Sequence, residues 1–235
     1  LAGAGALTNS ASGTLNIGGT SGISTLIANI VGNTVNYNGA AQTVKQTAYH
    51  NLLLSGSAAK TMTNVTTVAG NLSISGTATM TGNAGFTVGG TMSYASTGTT
   101  TLTASTPISV NSFSQSAGIL VDNGNTITVT GTGVNTWLKP GGTFTATGTV
   151  NFTGTAPQIG ASNFNNLTIT VGTGPALLTG NAAVTGNLAV STGALDLATF
   201  TANRTTSGGT ISVSAGATLK IGGSGTFPAN YATQT

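Results

Sequence analysis

One histidine and two aspartates, with no glutamate and no cysteine, are all that this 235-residue chain offers to acid–base, nucleophilic or metal chemistry. Glycosidic hydrolysis needs two carboxyl groups about 5 to 10 Å apart, but Asp122 and Asp196 are separated by 74 positions and neither has an acidic neighbour. His50 stands between Tyr49 and Asn51. As the base of a nucleophilic pair it would need an orienting acid and an activated serine, and no Gly-x-Ser-x-Gly stretch accompanies it. A zinc or calcium ion would be short of ligands. The Gly-Gly steps lack the Gly-Lys-Ser/Thr that completes a phosphate loop. The expected inventory of catalytic, cofactor-binding and metal-ligating residues is therefore empty, and the chain reads as a non-enzyme without a cofactor.

Charge gives little more. Lys45, Lys60, Lys139, Arg204 and Lys220 against Asp122 and Asp196 leave a net charge of +3. No two basic residues lie closer than 15 positions, so they read as scattered solvated charges. Nucleic-acid binders cluster such residues on one face, and no nucleic-acid partner is expected. Charged residues make up 3% of the chain, against about 25% in ordinary globular proteins. Disorder does not follow, because disordered chains are poor in β-branched residues and rich in net charge. Without cysteine, stability must come from the backbone ladder and a stacked core. No segment reaches the roughly 18 apolar residues of a membrane helix, the longest apolar run being Leu26 to Val31, so no membrane span is expected. The chain opens at Leu1 without a charged leader, which suggests a processed product or a piece of something longer.

What the sequence does carry is repetition. Asn51-Leu52-Leu53-Leu54 and Asn71-Leu72-Ser73-Ile74 return as Asn166-Leu167-Thr168-Ile169 and Asn187-Leu188-Ala189-Val190. The stretch 33–97 resembles 148–215 at offsets of 115 and then 116: Val35-Asn36-Tyr37-Asn38-Gly39 answers Val150-Asn151-Phe152-Thr153-Gly154, with Val44, Tyr49 and Leu52 matching Ile159, Phe164 and Leu167. A second echo spans the chain, Thr14-Leu15-Asn16-Ile17-Gly18-Gly19 reappearing as Thr218-Leu219-Lys220-Ile221-Gly222-Gly223 at an offset of 204. On that echo, 1–32 resembles the C-terminal end of a preceding unit.

Within each half the Asn-Leu starts recur after 20 and 21 residues, about one coil of a β-solenoid, where each repeat contacts only its neighbours. Apolar residues alternate with Thr, Ser and Asn at period two, as in Leu72/Ile74, Ile127/Val129 and Leu188/Val190, and turn residues punctuate the runs. This predicts an all-β parallel β-helix over 1–235, with strands of three to six residues and almost no helix. Tandem immunoglobulin-like β-sandwiches are the rival, since a unit of about 115 residues is near that domain size. Against them stand the 20-residue recurrence, the lone Trp137 and the scarcity of charged edge guards. The Asn at each strand start is expected at a corner, its amide bonding the Asn above and below. Asn64, Asn71, Asn151, Asn166 and Asn203 also read as N-x-Ser/Thr sequons. The stretch 97–148 matches nothing else in the chain and is expected to be the least regular.

Asn36 to Val44, Tyr49 to Ser57, Val68 to Ser75 and Phe164 to Ile169 together resemble the β-solenoid adhesins of bacterial surfaces, the filamentous-haemagglutinin-like and autotransporter-passenger group. That resemblance implies an extracellular or cell-surface structural protein, built into a fibre, sheath or adhesin stalk, whose partners are copies of itself. Two other functions fit the composition. One is a module binding surface glycans, with Tyr37, Tyr49, Phe152 and Phe164 as its aromatics if these are not core. The other is ice binding through Thr99 to Thr101, Thr126/Thr128 and Thr168/Thr170, opposed by the irregular coil length.

Overall fold

The computed structural model describes residues 2–223 and 225–235. Every strand pairing among them is parallel, and no helix occurs. The sandwich alternative is therefore excluded, and the chain is a β-solenoid of about eleven coils. Each coil visits three faces in turn.

The first face is a column of inward side chains in rung-to-rung register: Leu15, Val35, Leu52, Leu72, Met92, Phe113, Trp137, Ile159 and Leu178. The second face is built from three three-stranded sheets, Gln42–Thr43 with Ser57–Thr61 and Thr77–Thr81, then Thr99–Thr101 with Ile119–Val121 and Thr143–Thr145, then Ser162–Phe164 with Ala182–Val184 and Ala202–Arg204. The third face aligns Tyr49, Val68, Val88, Val110, Val129, Phe152, Ile169, Val190 and Val213. Alternation carries these residues inward and their Thr, Ser and Asn neighbours outward, so the inward columns fuse into one continuous core.

Several strands are longer than the spacing predicts. Phe86–Tyr94, Ile108–Gln115, Asn166–Leu178 and Leu188–Asp196 run from the third face round to the first. Register shifts at Val88/Thr91 and Thr170/Pro175 mark the bends, as bulges do when a strand turns a corner without breaking its ladder. The stretch 97–148 keeps parallel rungs, with a register shift between Gly133 and Trp137. It contains a wide coil: Phe113 and Trp137 are rung partners 24 positions apart, as Leu195 and Leu219 are, where Val35 and Leu52 are 17 apart. Aromatic rings fill the extra width. Trp137 stacks on Phe113 at 4.3 Å and packs against Phe144, Phe164 and Phe152 at 5.3, 5.5 and 6.0 Å. These spacings suit stacked and edge-on aromatic contacts.

The two repeats behave differently on this frame. From Val35 the first face passes Leu52, Leu72, Met92 and Phe113 to Trp137, five coils, and Val150 lies two faces further on, on the third face. The 115-residue repeat is thus five and two-thirds coils. Its members are turned by a third of a revolution: Val44 of the second face answers Ile159 of the first, and Tyr49 of the third answers Phe164 of the second. The 204-residue echo returns Leu15 to Leu219 on the same first face about ten coils later, shifted two positions along the rung, because Leu219 pairs through Leu195 with Ala176 whereas Leu15's column reaches Leu178. Both offsets correspond to about 20 residues per coil. Gly39 and Gly154, equivalent by the first repeat, show why the motif keeps glycine. A Cβ on either would strike the carbonyl of the coil below, Gly18 O and Gly131 O respectively.

Candidate functional site

The residues with chemical potential are dispersed, and each serves a corner. Asp122 is fully buried at the end of the Ile119–Val121 rung. Its carboxylate accepts from Thr147 Oγ1 (2.6 Å), Thr147 N–H (2.8 Å), Gly148 N–H (3.0 Å) and Gly124 N–H (3.3 Å). Neutral donors alone hold this charge, as they do where backbone amides converge on an anion. Asp196 lies on the first face more than three coils up the stack and accepts from Ala198 N–H at 2.9 Å. Three coils are already roughly 14 Å of rise, beyond a glycosidase pair. His50 Nδ1 accepts from Gly32 N–H at 3.3 Å. Among the described residues no cluster of three His, Cys, Asp or Glu could hold a metal ion.

One cation departs from the sequence reading. Lys60 is not a solvated charge but fully buried, pointing inward from the Ser57–Thr61 rung. Its ammonium faces Gly39 O (2.6 Å), Gln42 Oε1 (2.9 Å), Ser57 O (3.2 Å) and Ala40 O. Gln42 is its rung partner on the coil below and donates onward to Ile17 O at 2.7 Å and Gly19 O at 3.0 Å. Burial without a carboxylate partner holds the amine below the usual lysine value. The signal was present in the sequence: Lys60 falls in the inward phase that Met62 continues and Ala59 and Thr61 flank.

The asparagine corners also differ from expectation. They form a ladder, but amide to backbone rather than amide to amide. Asn51 Oδ1 accepts from Asn71 N–H (2.9 Å), and Asn71 Oδ1 from Thr91 N–H (2.8 Å). In the second half Asn166 Oδ1 accepts from Asn187 N–H (3.0 Å) and Asn187 Oδ1 from Thr210 N–H (2.8 Å). The same bonds recur on a face one-third of a turn away. Strand starts leave an N–H without a ladder partner, and a side-chain carbonyl from the coil below supplies one. Among the described residues a single amide-to-amide pair is seen, Asn36 Nδ2 to Asn16 Oδ1 at 2.9 Å. Of the sequons, Asn71 and Asn166 are thus engaged in the ladder, Asn151 Oδ1 accepts from Thr170 Oγ1 (2.7 Å) and Asn203 Oδ1 from Ala229 N–H (2.9 Å), while Asn64 is exposed.

Tyr37, Tyr49, Phe152 and Phe164 are core residues, so none supplies a surface platform for a sugar ring. The Tyr37 and Tyr49 hydroxyls meet at 3.1 Å, and Tyr49 donates to Lys45 O at 2.6 Å. Burial raises both phenols above their ordinary range. A relatively enclosed depression of about 290 Å³ is lined by Gly19, Ser21, Gln42, Thr43 and Lys45, and others are open. One of about 250 Å³ is lined by Thr66, Phe86, Thr87, Pro107, Ser109 and Thr128. Another of about 290 Å³ adjoins it at Pro107. Both are uncharged. No helix of the described residues is long and apolar enough to cross a membrane. Comparison with protein-family models, curated proteins and solved structures found no match, so the chain is placed by its architecture, a β-solenoid.

Proposed function

We propose that this chain is a non-enzymatic structural protein of the cell exterior. In this reading it is a stiff solenoid shaft in a surface fibre, sheath or adhesin stalk, continued head to tail by further coils of its own kind. Those coils come from other copies or from a longer polypeptide.

The observation that carries the reading is the return of the first coil's design to the same face after about ten coils. Leu15 and Leu219 occupy the same face, and the turns before them are alike. Gly13 N–H bonds Ser10 O at 2.9 Å and Ala217 N–H bonds Ser214 O at 2.9 Å, each with a left-handed third residue, Ser12 at φ 59° and Gly216 at φ 81°. Both turns spend the same positive φ at the same place. A stack whose design returns to the same face after about ten coils can be extended with its three faces in the same order. Low charge removes long-range repulsion between such units, and parallel rungs offer backbone groups to a following coil.

Electron cryomicroscopy and sedimentation test this. Fibres with a layer line near 4.8 Å, the rung spacing, are expected from concentrated protein. A monomer that persists at high concentration in salt refutes association of separate copies.

A further inference from the structure

The second face differs from the other two in what it presents outward. Within its first two sheets the rungs align Thr43, Thr61 and Thr81, then Thr101, Val121 and Thr145, in one row, and Ala59 and Thr79, then Thr99, Ile119 and Thr143, in a second. The join between its first two sheets is held by Met80 N–H donating to Thr100 Oγ1 at 2.9 Å. Ten of these eleven residues are Thr, Val or Ile with a methyl beside the rung, and eight of them also carry a hydroxyl. The first face outward mixes Asn36, Leu53, Ser73, Ser93 and Ser114, the third mixes Thr67, Thr87, Ser109, Thr128, Asn151, Thr168 and Ala189, and the last sheet of the second face presents Asn163, Ala183 and Asn203, so the threonine array is confined to the first two sheets of the second face.

We propose that the second face binds the surface of crystalline water. Rungs about 4.8 Å apart and alternate residues roughly 6.6 Å apart along each rung make a two-dimensional array of hydroxyl and methyl groups, comparable with the oxygen repeats of ice. β-Branched side chains are stiff at χ1, so the array is ordered before it binds and loses little entropy on binding. A threonine hydroxyl both donates and accepts, as a water molecule in ice does, and no outward residue of these rungs is charged. An uncharged array of donors and acceptors complements an uncharged lattice. Coil length does not spoil the spacing, because the longer coil takes up its extra residues in the loops 122–125 and 139–142 while Ile119–Val121 and Thr143–Thr145 stay in register. Thr126/Thr128 and Thr168/Thr170 belong to the third face and take no part. The proposal holds whether or not the coils continue into a fibre.

The test is freezing hysteresis and inhibition of ice recrystallisation by the whole chain, with Thr81→Lys and Thr101→Lys against Thr128→Lys on the third face. All three positions point outward, and circular dichroism checks that each variant keeps its β-structure. The expected result is activity in the parent and in Thr128→Lys, lost in both second-face variants. An inactive parent overturns the proposal, as does equal loss in Thr128→Lys. A parent that is inactive and dimeric, but monomeric as Thr101→Lys, shows instead that a second copy covers the face and overturns it too.

Discussion

Replacing Asp122 with alanine removes the acceptor for an entire corner. Gly148 N–H is buried and has both carboxylate oxygens as its partners, at 3.0 and 3.2 Å. Thr147 loses the acceptor of its N–H at 2.8 Å and of its hydroxyl at 2.6 Å. Gly124 N–H keeps Thr147 Oγ1 at 2.7 Å. One buried orphaned donor and one partly exposed one, each previously bound to a charged acceptor, together cost about 2–4 kcal/mol, after allowing for relief of the buried charge. Hydrogen exchange suits the assay, since a solenoid opens locally and a single unfolding free energy is poorly defined for it. The expected result is that protection of the Gly148 and Thr149 amides falls roughly 30- to 900-fold in Asp122→Ala. Amides of the first coils should be unchanged, because each coil contacts only its neighbours. Asp196→Ala, which frees a single bond to Ala198, should stay within about 1 kcal/mol. The reasoning fails if the two variants behave alike, or if protection near Gly148 survives the loss of Asp122.

Three further outcomes follow from the buried groups. Tyr37 and Tyr49 resist ionisation in the fold, while the unfolded phenols ionise near 10.0; above that pH the folded state holds more protons, so stability is full below about pH 10 and falls as pH rises through it. Phenolate absorbance should then appear together with loss of β-structure, and free titration of all four tyrosines in the folded protein would contradict it. Among Lys45, Lys60, Lys139 and Lys220, only Lys60 should escape a brief treatment with an amine-acylating reagent, as read by peptide mass spectrometry, and its early labelling would place it at the surface. Asn51→Ala and Asn166→Ala should each destabilise their corner by about 1 kcal/mol and match one another within a few tenths, because both leave one corner N–H without its partner, Asn71 and Asn187 respectively; hydrogen exchange that finds one of these amides deprotected and the other unchanged would break the equivalence of the two ladders.

Much of the fold was legible because its physics is local. Period-two alternation assigned Leu72, Leu167 and Leu188 to the core, and the recurrence near 20 residues set the coil. The positions of Lys60 and Asp122 were harder to read. A charged residue is ordinarily solvated, and only the convergence of carbonyls from two coils on Lys60, and of amides on Asp122, makes burial tolerable. The aromatic cluster around Trp137 was hidden for a related reason: its members lie on three faces and meet only across the core.

By itself the sequence determined the rung, its inward residues, the corner asparagines and the two repeat lengths, since each depends on neighbours a few positions or one coil away. Only the tertiary structure decided which face each rung occupies. A 115-residue offset is not a whole number of coils, so Val35 and Val150 share a motif but not a face, whereas Leu15 and Leu219 share both. The rung motif specifies a strand and a corner. The face follows from the accumulated length of every coil beneath it.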